Sequence, residues 1–266
     1  MYQTHYHKPK NLAEAAKIFS GASEARYLAG GQTLIPTMKL RLTGPSDVID
    51  VSGLAELKGI TASGDTLTIG GGTTHFEVAN SADVKRMIPA LAALAGLIGD
   101  PAVRYRGTIG GSIANNDPAA DYPAAVLALG ATVKTNSRSI PADSFFTGVF
   151  STALKDGELV TQVSFPTPAK SAYQKFPQPA SRFAMAGVFV ARMKDGKVRV
   201  AVTGAGNTGV FRATEMEAAL EKNFSPDSIA KIAIDQKKML SDIHAAPAYR
   251  ANLVQVMARR AVAAIV

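Results

Sequence analysis

The sequence predicts an α+β fold organised in three lobes. Strand-like and helix-like stretches alternate over about the first sixty residues, the pattern of a small α/β unit. Short strands joined by tight turns then dominate the middle of the chain. A proline-rich stretch at 166–182, PTPAKSAYQKFPQPASR, reads as a linker, and a strand pair with helical patterns lies beyond it.

Each element has a local reason. In NLAEAAKIF, Asn11 is placed as a helix cap with Glu14 three residues on and an apolar face following. ARYLA (25–29) and DVIDV (47–51) read as strands on either side of the first glycine pair. LKGITASGDTLTIGGGTTH (57–75) reads as two strands joined by ASGD and ended by the glycines at 70–72. ADVKRMIPALAALAGLIG (82–99) is helical and apolar, and Pro89 must kink or break it. Asp117 followed by Pro118 reads as a helix start, and PAADYPAAVLALG as a helix stopping at Gly130. ATVKT, RSIPA and ELVTQVSFP supply strands, with a short helical piece near DSFFTG. After the proline-rich stretch, FAMAGVFVARMKDGKVRVAVTGAG reads as a strand pair around KDGK. Helical patterns at 212–222, 225–239 and 248–264 close the chain.

Composition narrows the function. With 47% hydrophobic and 19% charged residues, the 266-residue chain is of ordinary globular type. No apolar run reaches the ~18 to 20 residues of a membrane span, and the N-terminus has no apolar signal core, so the expected setting is cytoplasmic. The absence of cysteine excludes disulfides, thiolate zinc sites and any cysteine-ligated iron–sulfur cluster within the chain. His5 and His7 share one face of a strand, but with no third ligand nearby they read as edge-strand residues. His244 reads as a surface or helix-end residue. The net charge of +8 is scattered, densest at QKK (236–238) and RR (259–260), with no aromatic-interleaved stripe. That pattern disfavours nucleic acid and suits a solvated basic face that meets an acidic protein partner.

Two glycine-rich segments carry the functional signal. YLAGGQTLIPTMK (27–39) runs apolar, breaks at Gly30 and Gly31, and turns apolar again after two polar residues. RGTIGGSIANNDPAADYP (106–123) carries a second such pair. Glycine permits positive φ and lets a ligand approach the main chain closely. Successive N–H groups then form a cradle for anionic oxygens. Both segments follow strand-like residues, and two such loops facing each other would suit a pyrophosphate, with Thr33, Thr108 and Ser112 adding hydroxyls. Taken singly, a glycine pair after a strand is an ordinary turn. Neither segment has the G-x-G-x-x-G spacing of a dinucleotide-binding Rossmann domain. Asp117 reads equally as a plain helix cap. Asp121, one turn on, reads either as a ligand for a hydroxyl or as a complement to the helix dipole.

The segments also occur in a known order. LAGGQTLIPTMKLRL, TTHFEVANS, DPAVRYRGTIGGSIANNDPAADYPAAVLALGA, FFTGVFSTALKDGELVTQVSFP and YRANLVQVMARRAV follow one another along the chain. Over essentially its whole length the sequence closely resembles the medium, FAD-binding subunit of the molybdenum hydroxylases, the group of carbon monoxide, aldehyde, nicotine and xanthine dehydrogenases. The resemblance implies an α+β, two-subdomain FAD-binding fold of the vanillyl-alcohol-oxidase (PCMH) type. It adds a C-terminal lobe of a small antiparallel sheet and helices. The implied division is 1–56 and 57–168 for the two FAD-binding subdomains and 169–266 for the C-terminal lobe. In the family the first glycine loop contacts the FAD diphosphate. It carries over as Ala29, Gly30, Gly31, Gln32, Thr33, Leu34 and Ile35. The second loop carries over as Thr108, Ile109, Gly110, Gly111, Ser112, Asn115 and Asp117. Asp121 matches the family acid that binds FAD polyol hydroxyls, and Leu159 and Lys175 match positions beside the flavin ring. The resemblance implies no metal ligand and no catalytic side chain in this chain.

No nucleophile–base pairing stands out, which suits a protein whose cofactor does the chemistry. The resemblance implies an FAD-carrying electron-transfer subunit. Electrons would come from a small [2Fe-2S] subunit, fed by a large molybdenum-cofactor subunit, and leave to an external acceptor. It implies a dimer of heterotrimers, with the molybdenum cofactor and the clusters on the partners alone. Two other readings stay open: a free-standing FAD-dependent oxidoreductase of the same superfamily, and a non-catalytic module that has lost FAD. The substrate is not legible here, because the molybdenum subunit selects it.

Overall fold

The computed structural model of the chain describes residues 1–265. The first lobe is a parallel sheet of β1 (His5–His7), β2 (Ala25–Leu28) and β3 (Asp47–Asp50), with β3 in the centre. Asn11 caps the helix Leu12–Gly21 as its spacing predicts, accepting from the Glu14 N–H at 2.8 Å. Ala15, Ile49, Val51, Leu54 and Leu57 form a small apolar cluster beneath the sheet. His5 and His7 lie on the edge strand, and His7 Nε2 sits 2.6 Å from Asp47 Oδ1 on its neighbour.

The second lobe holds β4 (Ile60–Ser63), β5 (Thr66–Gly70), β6 (Thr132–Thr135), β7 (Ser139–Pro141) and β10 (Val160–Pro166). They form an antiparallel sheet in the order β4-β5-β10-β6-β7. A separate two-stranded ribbon pairs β8 (Phe146–Gly148) with β9 (Ser151–Thr152). Six short helices are threaded between β5 and β6. Pro89 breaks the apolar helical stretch as expected, standing at the start of Pro89–Gly96 after Ala82–Met87.

The third lobe is an antiparallel sheet of β11 (Lys170–Pro177), β12 (Ala184–Arg192), β13 (Val198–Thr203) and β14 (Phe211–Arg212), backed by the helices Thr214–Lys222 and Pro247–Ala263. β12 is buried on both faces. Phe189 and Ala191 join the core of the second lobe, whereas Ala186, Val188 and Val190 face the helices of the third. That explains its unbroken apolar run. No described helix is long and apolar enough to cross a membrane.

Four expectations need correction. The stretch 166–182 is no linker, because β11 runs through it and pairs with β12 along its whole length. Its prolines fall at or outside the strand ends, where no ladder N–H is lost. The helix expected from Pro118 begins at Tyr122 instead, with Pro123 in its first turn. Asp117 Oδ1 accepts from the Ala119 N–H at 2.8 Å, closing a turn rather than capping a helix. No helix spans 225–239. Ser225 and Asp235 each cap a separate short 3₁₀ turn, at Pro226–Ile229 and Gln236–Lys238. The second glycine segment follows the helix Pro101–Arg106, not a strand.

Candidate cofactor site

A cleft of about 950 Å³ runs between the lobes. The first glycine loop, the second glycine segment, the 117–121 turn, residues 158–160 and residues 180–183 line it. The two glycine segments meet backbone to backbone. A Cβ on Gly30 would collide with the Arg106 carbonyl, and on its other side the second segment meets the glycine run 70–72, where a Cβ on Gly110 would come within 2.6 Å of the Gly71 oxygen. Gly31 has φ +72°, a conformation that favours glycine.

Hydrogen-bond accounting separates their roles. Among the described residues, the N–H groups at 30–34 donate to no protein acceptor, and Thr33 makes no side-chain capping bond. The second segment is engaged internally. Ile109 N–H donates to the Thr73 carbonyl, Gly110 to Gly71, Gly111 to the Thr108 hydroxyl at 3.1 Å, and Ser112 to the Thr108 carbonyl. The expected row of open main-chain donors is therefore offered by the first loop. The second contributes surface and the open face of Gly111. A Cβ on Gly111 would approach the Thr108 hydroxyl oxygen at 3.0 Å and reach the Ala29 Cβ of the first loop at 4.0 Å.

The opposite wall is the 117–121 turn. Asp121 is buried, and its two carboxylate oxygens are held from β11: Tyr173 donates to Oδ1 at 2.5 Å, and Lys175 Nζ to Oδ2 at 2.9 Å. Lys175 also donates to the Leu97 carbonyl at 3.1 Å. Burial pushes the Asp121 carboxyl up, opposed by the Lys175 ammonium and the Tyr173 hydroxyl. Burial and the adjacent carboxylate push the Tyr173 phenol well up, so it stays a donor.

Most of the residues singled out from the sequence lie on this cleft: Ala29, Gly30, Gly31, Gln32, Thr33 and Leu34 on one side, Thr108, Gly110, Gly111, Ser112, Asn115, Asp117 and Asp121 on the other, with Leu159 between. Ile35, Ile109 and Lys175 are not among the lining residues. Ile109 is in the core, and Lys175 stands behind Asp121. Leu159 packs on the cluster of the first lobe, so it and Lys175 share no partner.

Among the parts of the wall that the sequence reading missed are His75 and residues 180–183. His75 lines the cleft with its ring 5.3 Å from that of Tyr122, and its Nδ1 has no partner. Burial, then the Arg104 charge, lowers its pKa to about 4, so the ring is neutral at pH 7. Residues 180–183 form a self-bonded turn in which Gln178 Oε1 accepts from the N–H groups of Ala180 and Ser181, and Arg182 adopts φ +61°. The motif TTH was a usable signal for His75. The 180–183 turn lay across the end of the supposed linker, 166–182.

A family model described as "FAD binding domain in molybdopterin dehydrogenase" matches residues 2–168, and one described as "CO dehydrogenase flavoprotein C-terminal domain" matches 171–265. The chain belongs to the FAD-binding family of the molybdopterin dehydrogenases. It is 34% identical over 271 residues to the carbon monoxide dehydrogenase medium chain of Hydrogenophaga pseudoflava, covering 96% of this chain and 94% of that one. It is 35% identical over 270 residues to the glyceraldehyde dehydrogenase medium chain of Sulfolobus acidocaldarius, covering 96% of each. In structure it matches quinoline 2-oxidoreductase from Pseudomonas putida 86 with a TM-score of 0.91 at 28% identity, over 99% of this chain and 96% of that one. The family is one of oxidoreductases, its fold is the two-subdomain FAD-binding fold, and its cofactor is FAD. The cleft fits that cofactor: a row of open main-chain donors for a diphosphate, glycine faces where a side chain would intrude, and a length spanning all three lobes.

Proposed function

We propose that this chain is the FAD-carrying electron-transfer subunit of a heterotrimeric molybdenum hydroxylase. The carrying observation is that the cleft offers a cofactor cradle while its acidic side chains are already engaged. Asp121 is held by Tyr173 and Lys175, Asp100 accepts from the Val103 N–H, and Asp117 closes its own turn. The Arg138 guanidinium holds the Glu158 carboxyl down at about 2. With these carboxylates engaged, none of them is free to serve as the base of a substrate half-reaction, which supports chemistry that belongs to the cofactor.

FAD supplies one- and two-electron transfer. The chain's residues would bind and orient it: the donors at 30–34 would hold the diphosphate, Gly111 would leave it room, and the 117–121 turn would bound the other side. With no cysteine in the chain, a cysteine-ligated [2Fe-2S] cluster that feeds the flavin would sit on a partner, and on this reading a large subunit holds the molybdenum cofactor. Relatives named as medium chains support that assignment. We divide the chain at 56/57 and 168/169, a division supported by the three main sheets, although the cores of the second and third lobes interdigitate.

Purification of the native complex through a tag on this chain tests the assembly. The expected result is a dimer of heterotrimers carrying FAD on this chain. A tagged chain that purifies alone and turns over substrate would refute it.

A further inference from the structure

We propose that Thr203 is a positioning residue for the cofactor: from the third lobe it fixes the 117–121 turn that walls the FAD cleft. The proposal rests on that cleft holding FAD. Three successive carbonyls of the turn are gripped from the third lobe. Ala184 N–H donates to the Ala119 oxygen at 3.4 Å, and Gly204 N–H to the Pro118 oxygen at 2.8 Å. The Thr203 hydroxyl lies 2.6 Å from the Ala120 oxygen and 3.1 Å from that of Pro118. A hydroxyl has one proton to give. Since Gly204 already serves Pro118, Ala120 is the oxygen that depends on Thr203.

The bracing continues away from the cleft. Gly204 has φ +80°, and a Cβ there would collide with the Ala184 carbonyl, so the ends of β12 and β13 come this close only with glycine. Behind them the buried Arg250, on the helix Pro247–Ala263, donates to the Gly204 carbonyl at 2.7 Å and to that of Met185 at 2.8 Å. Thr203 itself is fully buried, while Ala120, Asp117 and Asp121 face the cleft. A line of hydrogen bonds thus runs from the C-terminal helix through two strand ends to the cofactor wall. The C-terminal lobe sets the shape of the flavin site without lining that stretch of it.

The alternative is that Thr203 only satisfies a buried hydroxyl and stabilises its own sheet. Thr203→Val, Thr203→Ser and wild-type full-length chains separate the two. FAD dissociation constants come from fluorescence titration of the apoproteins, the environment of bound flavin from visible circular dichroism, and fold stability from apoprotein melting. Thr203→Val should weaken FAD binding about ten-fold and alter the flavin dichroism, with apoprotein melting little changed. Thr203→Ser should restore both flavin readouts. Wild-type affinity and dichroism in Thr203→Val would overturn the proposal. So would failure of that variant to fold, or a melting loss that accounts for the flavin loss, because each assigns Thr203 to lobe stability alone. A wild-type chain that takes up no FAD would instead count against the cofactor reading itself.

Discussion

Lys175 and Asp121 form an ion pair across the seam between the second and third lobes, Nζ to Oδ2 at 2.9 Å, with side chains only 3% and 4% exposed. The same carboxylate bounds the cofactor cleft, so the seam and the cleft wall are one structure. A buried charge stripped of its partner is left uncompensated in a poorly solvating interior.

Lys175→Met should therefore destabilise the apoprotein by about 3–5 kcal/mol, through Asp121 rather than through lost contact with flavin. Pairing it with Asp121→Asn should recover much of that loss. Thermal melting of the wild type, the two single variants and the double variant checks this. Additive losses would show that the pair is not coupled.

Gly111→Val should give a folded chain without flavin, because a Cβ there meets only side-chain atoms, the Thr108 hydroxyl oxygen at 3.0 Å and the Ala29 methyl at 4.0 Å, and no backbone. Gly30→Val should instead damage the fold, because the Arg106 carbonyl occupies the site of its Cβ. The ratio of flavin to protein absorbance and the far-ultraviolet dichroism of each variant distinguish these outcomes.

His75 predicts an acid sensitivity. Its folded pKa of about 4 lies below the ordinary value of 6.5, so the folded chain resists the proton that the unfolded chain accepts. Its neutral form is accommodated fully above pH 6.5, and stability falls as pH drops from there toward 4, by about 3 kcal/mol in all. His75→Gln should flatten melting temperature against pH across that window. An unchanged slope would mean that other groups carry the acid loss.

The net charge of +8 predicts salt-dependent assembly. If the partner subunits present acidic faces, association with them should slow several-fold as ionic strength rises from about 0.05 to 0.3 M, as Debye screening shortens. Stopped-flow measurement of assembly across that range checks it. A flat profile would indicate an apolar interface.

Local chemistry was legible and long-range pairing was not. Asn11 with Glu14, Pro89 and the first glycine pair speak through the few residues around them, and each stands where its spacing placed it, whereas the second glycine pair, read as a loop after a strand, lies in the helix Ile109–Asn115. β11 was hidden because prolines crowd its ends and its apolar residues Ala172, Tyr173 and Phe176 do not alternate strictly; its pairing with β12 reveals the strand. Asp117-Pro118 looks like a helix start because a closed Asp turn uses the same residues. The Lys175–Asp121 contact joins residues 54 apart in sequence, which no periodicity encodes. His75 carried no signal beyond the TTH motif, and its burial against the cleft places it in the wall.

The most direct test is anaerobic absorbance at the flavin band, with this chain alone and in the trimer reconstituted from all three subunits, on adding candidate aldehydes, purines, N-heterocycles or carbon monoxide. The account predicts no bleaching in the lone chain and rapid bleaching in the trimer with its substrate. Rapid bleaching of the lone chain by any of these compounds would contradict it and make this a self-sufficient oxidoreductase.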